Sequence, residues 1–194
     1  PSRLALEPSF SEKKSLLWRE KERIGKRVVA DITRGATVFV DAGTTCLEAG
    51  KLLLEDGSYT VFTTSIPLLM VGCNFPGKLV CLGGEVLSIS RALVGGQAFD
   101  WLEKLNFDCA LLGASAIDGN SVRTTEIQES AVKKSIHERA DCSFLLADRS
   151  KNSQKAPVEF LTLTDFEAWY VDKEPDKITL TRPQTTKPFQ IIYC

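Results

Sequence analysis

A glycine and two hydroxyl residues, Gly43-Thr44-Thr45, stand where a short apolar run ending in Asp41 gives way to a helix-forming segment. A strand that delivers a loop to a helix N-terminus presents unpaired N–H groups and the positive end of the helix dipole to whatever lies in front. That is the chemistry of anion binding. Gly43 lets a ligand approach the backbone, and the threonines add two hydroxyl donors. The same stretch has a second reading. Thr45-Cys46-Leu47-Glu48 fits a capping box, in which Thr45 and Glu48 satisfy the helix's own N–H groups and leave nothing for a ligand. The residues alone leave both readings open.

Further candidates follow the other apolar runs: Thr63-Thr64-Ser65, Gly83-Gly84, the stretch from Gly113 to Asp118-Gly119, and Asp148-Arg-Ser-Lys151. Each has an ordinary explanation. Ser65 before Ile66-Pro67 starts a helix, and the glycine pair and Asp118-Gly119 are turn chemistry. Lys151 taken alone is a solvated charge. Glu129 precedes Lys133 by four residues, a spacing that pairs them on a helix surface, and Thr125 to Gln128 makes a second capping box with Glu126 inside the first turn. Arg91 and Arg123 are secondary candidates for clamping a phosphate. His137, the single histidine, lies beside Glu138 and Arg139 and reads as solvent-facing.

These residues need a frame. Short apolar runs rich in β-branched and aromatic residues predict strands at 37–41, 59–63, 78–82, 108–112 and 142–147. Between them, helical spacing predicts helices at 46–54, 66–71, 96–105 and 126–140, preceded by one over 16–32 with Leu17, Ile24, Val28 and Ile32 on one face. Alternation of this kind predicts the α/β class, a Rossmann-like parallel sheet with helices on both faces. In such sheets ligands bind beyond the carboxyl ends of the strands, so the candidate loops gather on one edge as a polar, anion-accepting pocket. Runs at 160–163 and 168–171 are candidate edge strands.

The rest of the composition excludes several functions. With 194 residues, 43% hydrophobic and 25% charged, the chain reads as one ordinary globular domain, and no apolar run approaches the ~20 residues of a membrane span. A net charge of −1 supplies no electrostatic footprint for nucleic acid, so any contact with DNA requires other residues. Six cysteines without a Cys-x-x-Cys pair, beside one histidine, argue against a metal site and for reduced thiols in a cytoplasmic setting. No cofactor is expected. Pro1 is not a start methionine, which predicts a fragment or a processed form.

Taken in order, Glu7-Pro-Ser-Phe10, Glu20-Lys-Glu-Arg-Ile24, Asp41-Ala-Gly-Thr-Thr45, Val61-Phe-Thr-Thr-Ser65, Cys81-Leu-Gly-Gly84, Asp108 to Gly113 with Ile117-Asp118, Glu129-Ser-Ala-Val-Lys133 and Leu146-Ala-Asp-Arg-Ser-Lys151 resemble the effector-binding domain of the DeoR family of bacterial sugar-metabolism regulators. The resemblance implies a fold similar to ribose-5-phosphate isomerase, with the site turned to sensing. It implies residues 1–17 as the linker from a missing N-terminal helix-turn-helix, 18–172 as the sensor domain, and 173–194 as a C-terminal tail without assigned function. It implies a phosphorylated sugar or sugar alcohol as effector, DNA contacted only through the missing domain, and a homo-oligomer. On matching positions, Gly43, Thr44, Thr45 and Lys151 would receive the phosphate. Thr63, Thr64, Ser65, Gly83 and Gly84 would shape the pocket floor, and Asp41, Asp118 and Glu129 would meet sugar hydroxyls. Thr64 stands where the family commonly has asparagine. A sugar-phosphate isomerase or deaminase, with Asp118 or Glu129 as base, is the alternative on the same scaffold.

Overall fold

The structure, a computed structural model, describes residues 8–175, 178 and 188–194. In chain order the elements are α1 (Phe10–Ser15), α2 (Trp18–Asp31), β1 (Thr37–Val40), α3 (Thr44–Asp56), β2 (Thr60–Thr63), α4 (Ile66–Gly72) and β3 (Lys78–Cys81). A hairpin, β4 (Glu85–Leu87) and β5 (Ala92–Val94), leads to α5 (Gly96–Leu102), β6 (Cys109–Leu112), β7 (Ala116–Asp118), β8 (Ser121–Thr124) and α6 (Ile127–Glu138). Then come β9 (Ser143–Leu146), a 3-10 turn at Arg149–Ser153, β10 (Val158–Thr162), a second 3-10 turn at Leu163–Asp165, β11 (Ala168–Val171) and β12 (Gln190–Tyr193).

Seven strands form one parallel sheet in the order β12-β11-β9-β6-β1-β2-β3. The central strands are apolar on both faces because both faces are covered. Val38, Val40, Leu111 and Tyr170 pack with Ile24, Val28, Leu47, Leu53 and Leu68 from α2, α3 and α4. The alternate residues Phe39, Ala110, Leu112 and Trp169 pack with Ala98 and Leu102 of α5 and Val132 and Ile136 of α6. The α2–α3 contact is close at Gly25, where an added Cβ would lie 2.9 Å from the backbone nitrogen of Ala49.

The chain runs outward from β1 through β2 to β3, then returns to place β6 on the other side of β1. The order therefore reverses between β1 and β6, and the crevice beyond their carboxyl ends is the position for a ligand in an open α/β sheet.

Several elements differ from the sequence expectation. Residues 10–15, expected within a linker, form α1, with Phe10 buried; residues 1–7 lie outside those described. The run at 160–163 does not edge the main sheet. It joins an antiparallel sheet, β10-β8-β7. Within the expected tail, Gln190–Tyr193 pairs in parallel with β11 as the edge strand.

Candidate functional site

Asp41 directly follows β1 and is 5% exposed. Its Oδ2 accepts the Gly113 N–H at 2.9 Å and a hydrogen bond from Lys133 Nζ, so one carboxylate ties the loop after β1 to the loop after β6 and to α6. Lys133 is buried; its ammonium also donates to the Gly113 carbonyl at 3.1 Å and lies 5.5 Å from the centre of the Phe160 ring. Burial pushes this ammonium's pKa down, but Asp41 and Glu129 outweigh burial and hold it above the ordinary lysine value. An ion pair thus forms the floor beneath the start of α3.

The capping-box reading of Thr45 and Glu48 is corrected. Helix α3 begins two residues earlier than that reading requires. Gly43 is its N-cap, no side chain caps the end, and Glu48 instead binds Lys51 at 2.9 Å. The first intrahelical bond runs from the Leu47 N–H to the Gly43 carbonyl at 2.9 Å, so the N–H groups ahead of it are left for another partner. Thr44 and Thr45 are 8% and 4% exposed, and their hydroxyls have no hydrogen-bond partner among the described residues. At Gly43 the nearest atom to an added Cβ is 3.5 Å away, so its contribution is the missing capping side chain rather than tight packing. Burial, followed by Asp41, raises the Cys46 thiol's pKa well above the ordinary value, so it stays a neutral thiol beside the cradle.

In front of this helix end lies a cavity of about 590 Å³. Of the expected site residues it brings together Asp41, Gly43, Thr44, Thr45, Glu129 and Lys151. Glu129 accepts the Thr124 hydroxyl at 2.8 Å. Lys151 sits on the 3-10 turn after β9, which is capped by Asp148. The second expected capping box is also absent. Glu126, one residue after the expected Thr125, is the N-cap of α6, and it makes no side-chain capping bond.

The other expected residues lie outside this lining. The Thr63 hydroxyl donates to the Val40 carbonyl at 2.6 Å and accepts the Ser65 N–H at 3.0 Å. The Thr64 carbonyl accepts from Leu93 at 2.8 Å, and Ser65 caps α4 by accepting the Leu68 N–H at 3.2 Å. Gly83 and Gly84 turn the chain into the β4–β5 hairpin; at Gly84 (φ 122°) a Cβ would meet the Val94 carbonyl oxygen at 2.3 Å. Asp118, exposed at the end of β7, borders a separate cavity of about 400 Å³ with Arg123 and Asn152. Arg123 donates to the carbonyls of Ala156 at 3.3 Å and Pro157 at 3.2 Å. His137 is half-buried rather than solvent-facing, since its Nδ1 meets the Ser143 hydroxyl at 2.9 Å.

Sequence reasoning missed Lys133 as a site residue, together with Ser115, Thr124, Lys155 and the residues of α1 that line the cavity. For Lys133 the signal was present: a lysine inside a helix whose neighbours Val132 and Ile136 face the core. For α1 there was none.

The sequence matches the DeoR C-terminal sensor domain family over residues 18–173. Among curated proteins, the chain is 33% identical over 168 residues to the HTH-type transcriptional regulator GlpR of Haloferax volcanii, covering 86% of this chain and 66% of that protein. It is 28% identical to the glycerol-3-phosphate regulon repressor of Escherichia coli, covering 95% and 74%, and 33% identical to the lactose phosphotransferase system repressor of Lactococcus lactis, covering 77% and 60%. The chain therefore spans about two thirds of the length of these relatives. Solved structures of similar fold include ribose-5-phosphate isomerase A of Neisseria gonorrhoeae, with a TM-score of 0.50 at 12% identity over 70% of this chain and 53% of that one. Another is the eIF2B delta subunit of Chaetomium thermophilum, with a TM-score of 0.52 at 14% identity over 71% and 50%.

An α/β fold with a parallel sheet and an uncapped helix N-terminus at the reversal of its strand order is the class that the geometry defines. This chain belongs to the DeoR family, as its C-terminal sensor domain. Among the described residues no helix is long and apolar enough to cross a membrane.

Proposed function

We propose that this domain senses a phosphorylated sugar or sugar alcohol for a cytoplasmic repressor of sugar metabolism, and that occupancy of the α3 cradle changes the operator affinity of the full-length protein. The observation that carries the reading is an uncapped helix N-terminus facing a 590 Å³ cavity, with the hydroxyls of Thr44 and Thr45 on its lining and without a hydrogen-bond partner among the described residues. A phosphate needs N–H and O–H donors and a cation, and Lys151 stands on the same lining. Asp41 and Glu129, also there, offer acceptors suited to hydroxyl groups. The names of the E. coli and L. lactis relatives, a glycerol-3-phosphate regulon repressor and a lactose phosphotransferase system repressor, support the same reading.

In this reading DNA is contacted by a helix-turn-helix upstream of the chain, and the regulator works as a homo-oligomer, dimer or tetramer. Ligand acts by favouring one arrangement of the subunits over another. The isomerase or deaminase alternative has less support, because Asp118, one of its two candidate bases, lies outside the cavity and the relatives are named as regulators. Thermal unfolding tests the proposal. Millimolar sn-glycerol 3-phosphate or hexose phosphates raise the midpoint while the unphosphorylated compounds do not, and an equal response to both contradicts it.

A further inference from the structure

The family match begins at residue 18, yet the cavity's lining begins earlier. Pro8, Phe10, Glu12, Lys13, Ser15 and Leu16 form one of its walls, beside the α3 cradle. Helix α1 has six residues, too few to persist alone, so its position depends on what holds it.

Three contacts do so. Phe10, 4% exposed, packs into the core on the α2–α3 side of the sheet. Lys21 of α2, 2% exposed, donates to the Lys13 carbonyl and, at 2.6 Å, to the Leu16 carbonyl, satisfying acceptors that the end of α1 leaves open. From the β4–β5 hairpin, Arg91 lies 5.2 Å from the Phe10 ring centre and donates to the Ser11 hydroxyl at 3.3 Å. The chain turns from α1 into α2 through Leu17, at a φ of 51° that non-glycine residues rarely adopt. Helix α1 is therefore a separate piece, folded back over the cavity and latched from two elements.

We propose that α1 belongs to the effector site: residues 8–16 are the wall that closes on a phosphorylated sugar or sugar alcohol in the α3 cradle, so that bound ligand and the chain upstream of α1 act on the same helix. This rests on the anion-site reading above. A ligand that touches α1 only in its seated position must favour that position by its differential affinity, and whatever moves α1 must change ligand affinity by the same factor.

Hydrogen exchange on the 194-residue chain, with millimolar sn-glycerol 3-phosphate against glycerol, tests this. The expected result is that amides of residues 10–16 exchange faster than the interior of α3 without ligand, and slow about tenfold with it, in step with residues 44–46. Protection of residues 44–46 alone overturns the proposal and leaves the anion site standing. Protection of neither overturns both. Arg91→Ala supplies a second arm. It should speed exchange over residues 10–16 in the free protein and weaken binding of sn-glycerol 3-phosphate several-fold. Unchanged affinity with α1 released overturns the proposal.

Discussion

Thr44 and Thr45 are buried residues whose hydroxyls face the cavity lining and have no hydrogen-bond partner among the described residues. Replacing both with valine keeps the shape and removes two donors. The expected effect on stability is neutral to slightly favourable, because no partner is orphaned. Binding of a sugar phosphate should weaken by about tenfold or more, since a hydrogen bond to a charged group contributes ~1.5–3 kcal/mol. Denaturation midpoints and calorimetric titration separate the two effects. Lys133 behaves oppositely: Lys133→Met leaves the Asp41 carboxylate buried and unpaired, with an expected loss of about 3–5 kcal/mol in urea unfolding. Lys21 supplies a pH test. Burial, opposed by Asp148 at 3.8 Å, lowers its ammonium's pKa from 10.5 to about 8. The unfolded chain then holds more protons between these values, so this lysine's contribution to stability rises from about pH 8 to pH 10.5. The stability difference between the wild type and Lys21→Met should follow that rise, and a flat difference contradicts the account. At this scale the cradle was legible from Gly43-Thr44-Thr45, but its floor was not. The sequence spacing of Glu129 and Lys133 suggested a surface pair, and only the direction α6 faces brings Lys133 to Asp41, 92 positions away in the chain.

At the scale of elements, periodicity carried far. The strand expected at 37–41 is Thr37–Val40, and the helix expected at 126–140 is Ile127–Glu138, because long apolar patterns report burial on one face or on both. Three-residue strands such as β4, β5 and β7 have no period to read, and α1 is too short and too polar for helical spacing to register. Strand-end loops such as Thr63-Thr64-Ser65 looked like ligand donors in sequence, but the Thr63 hydroxyl bonds Val40 and Ser65, and the Ser65 hydroxyl caps α4. Packing between elements gives a further prediction. Gly25→Ala should gain about 1 kcal/mol of helix propensity yet lose more by forcing α2 off the backbone of α3, where the added carbon would sit 2.9 Å from a nitrogen. The net expectation is a destabilisation of ~1–2 kcal/mol in chemical denaturation. A gain would mean that the two helices separate freely.

At the scale of the whole molecule, the seven-stranded parallel sheet reverses its order between β1 and β6, and the uncapped start of α3 lies at that reversal. The class of fold was legible because strands and helices alternate in sequence. The seventh strand was not, since Gln190–Tyr193 is a lone four-residue run separated from β11 by 18 residues. Removing residues 188–194 deletes the partner of β11, including the bond from the Cys194 N–H to the Val171 carbonyl at 2.9 Å. The expected cost is at least about 2 kcal/mol in unfolding, with a new sheet edge exposed to association; a truncated chain as stable as the whole would remove β12 from the core account. The central claim is that the amides at the start of α3 are open to a phosphorylated ligand. Amide NMR during titration with sn-glycerol 3-phosphate tests it directly. The account predicts saturable downfield shifts at Thr44, Thr45 and Cys46 that glycerol does not produce. Shifts that are absent there, or equal for the two compounds, contradict it.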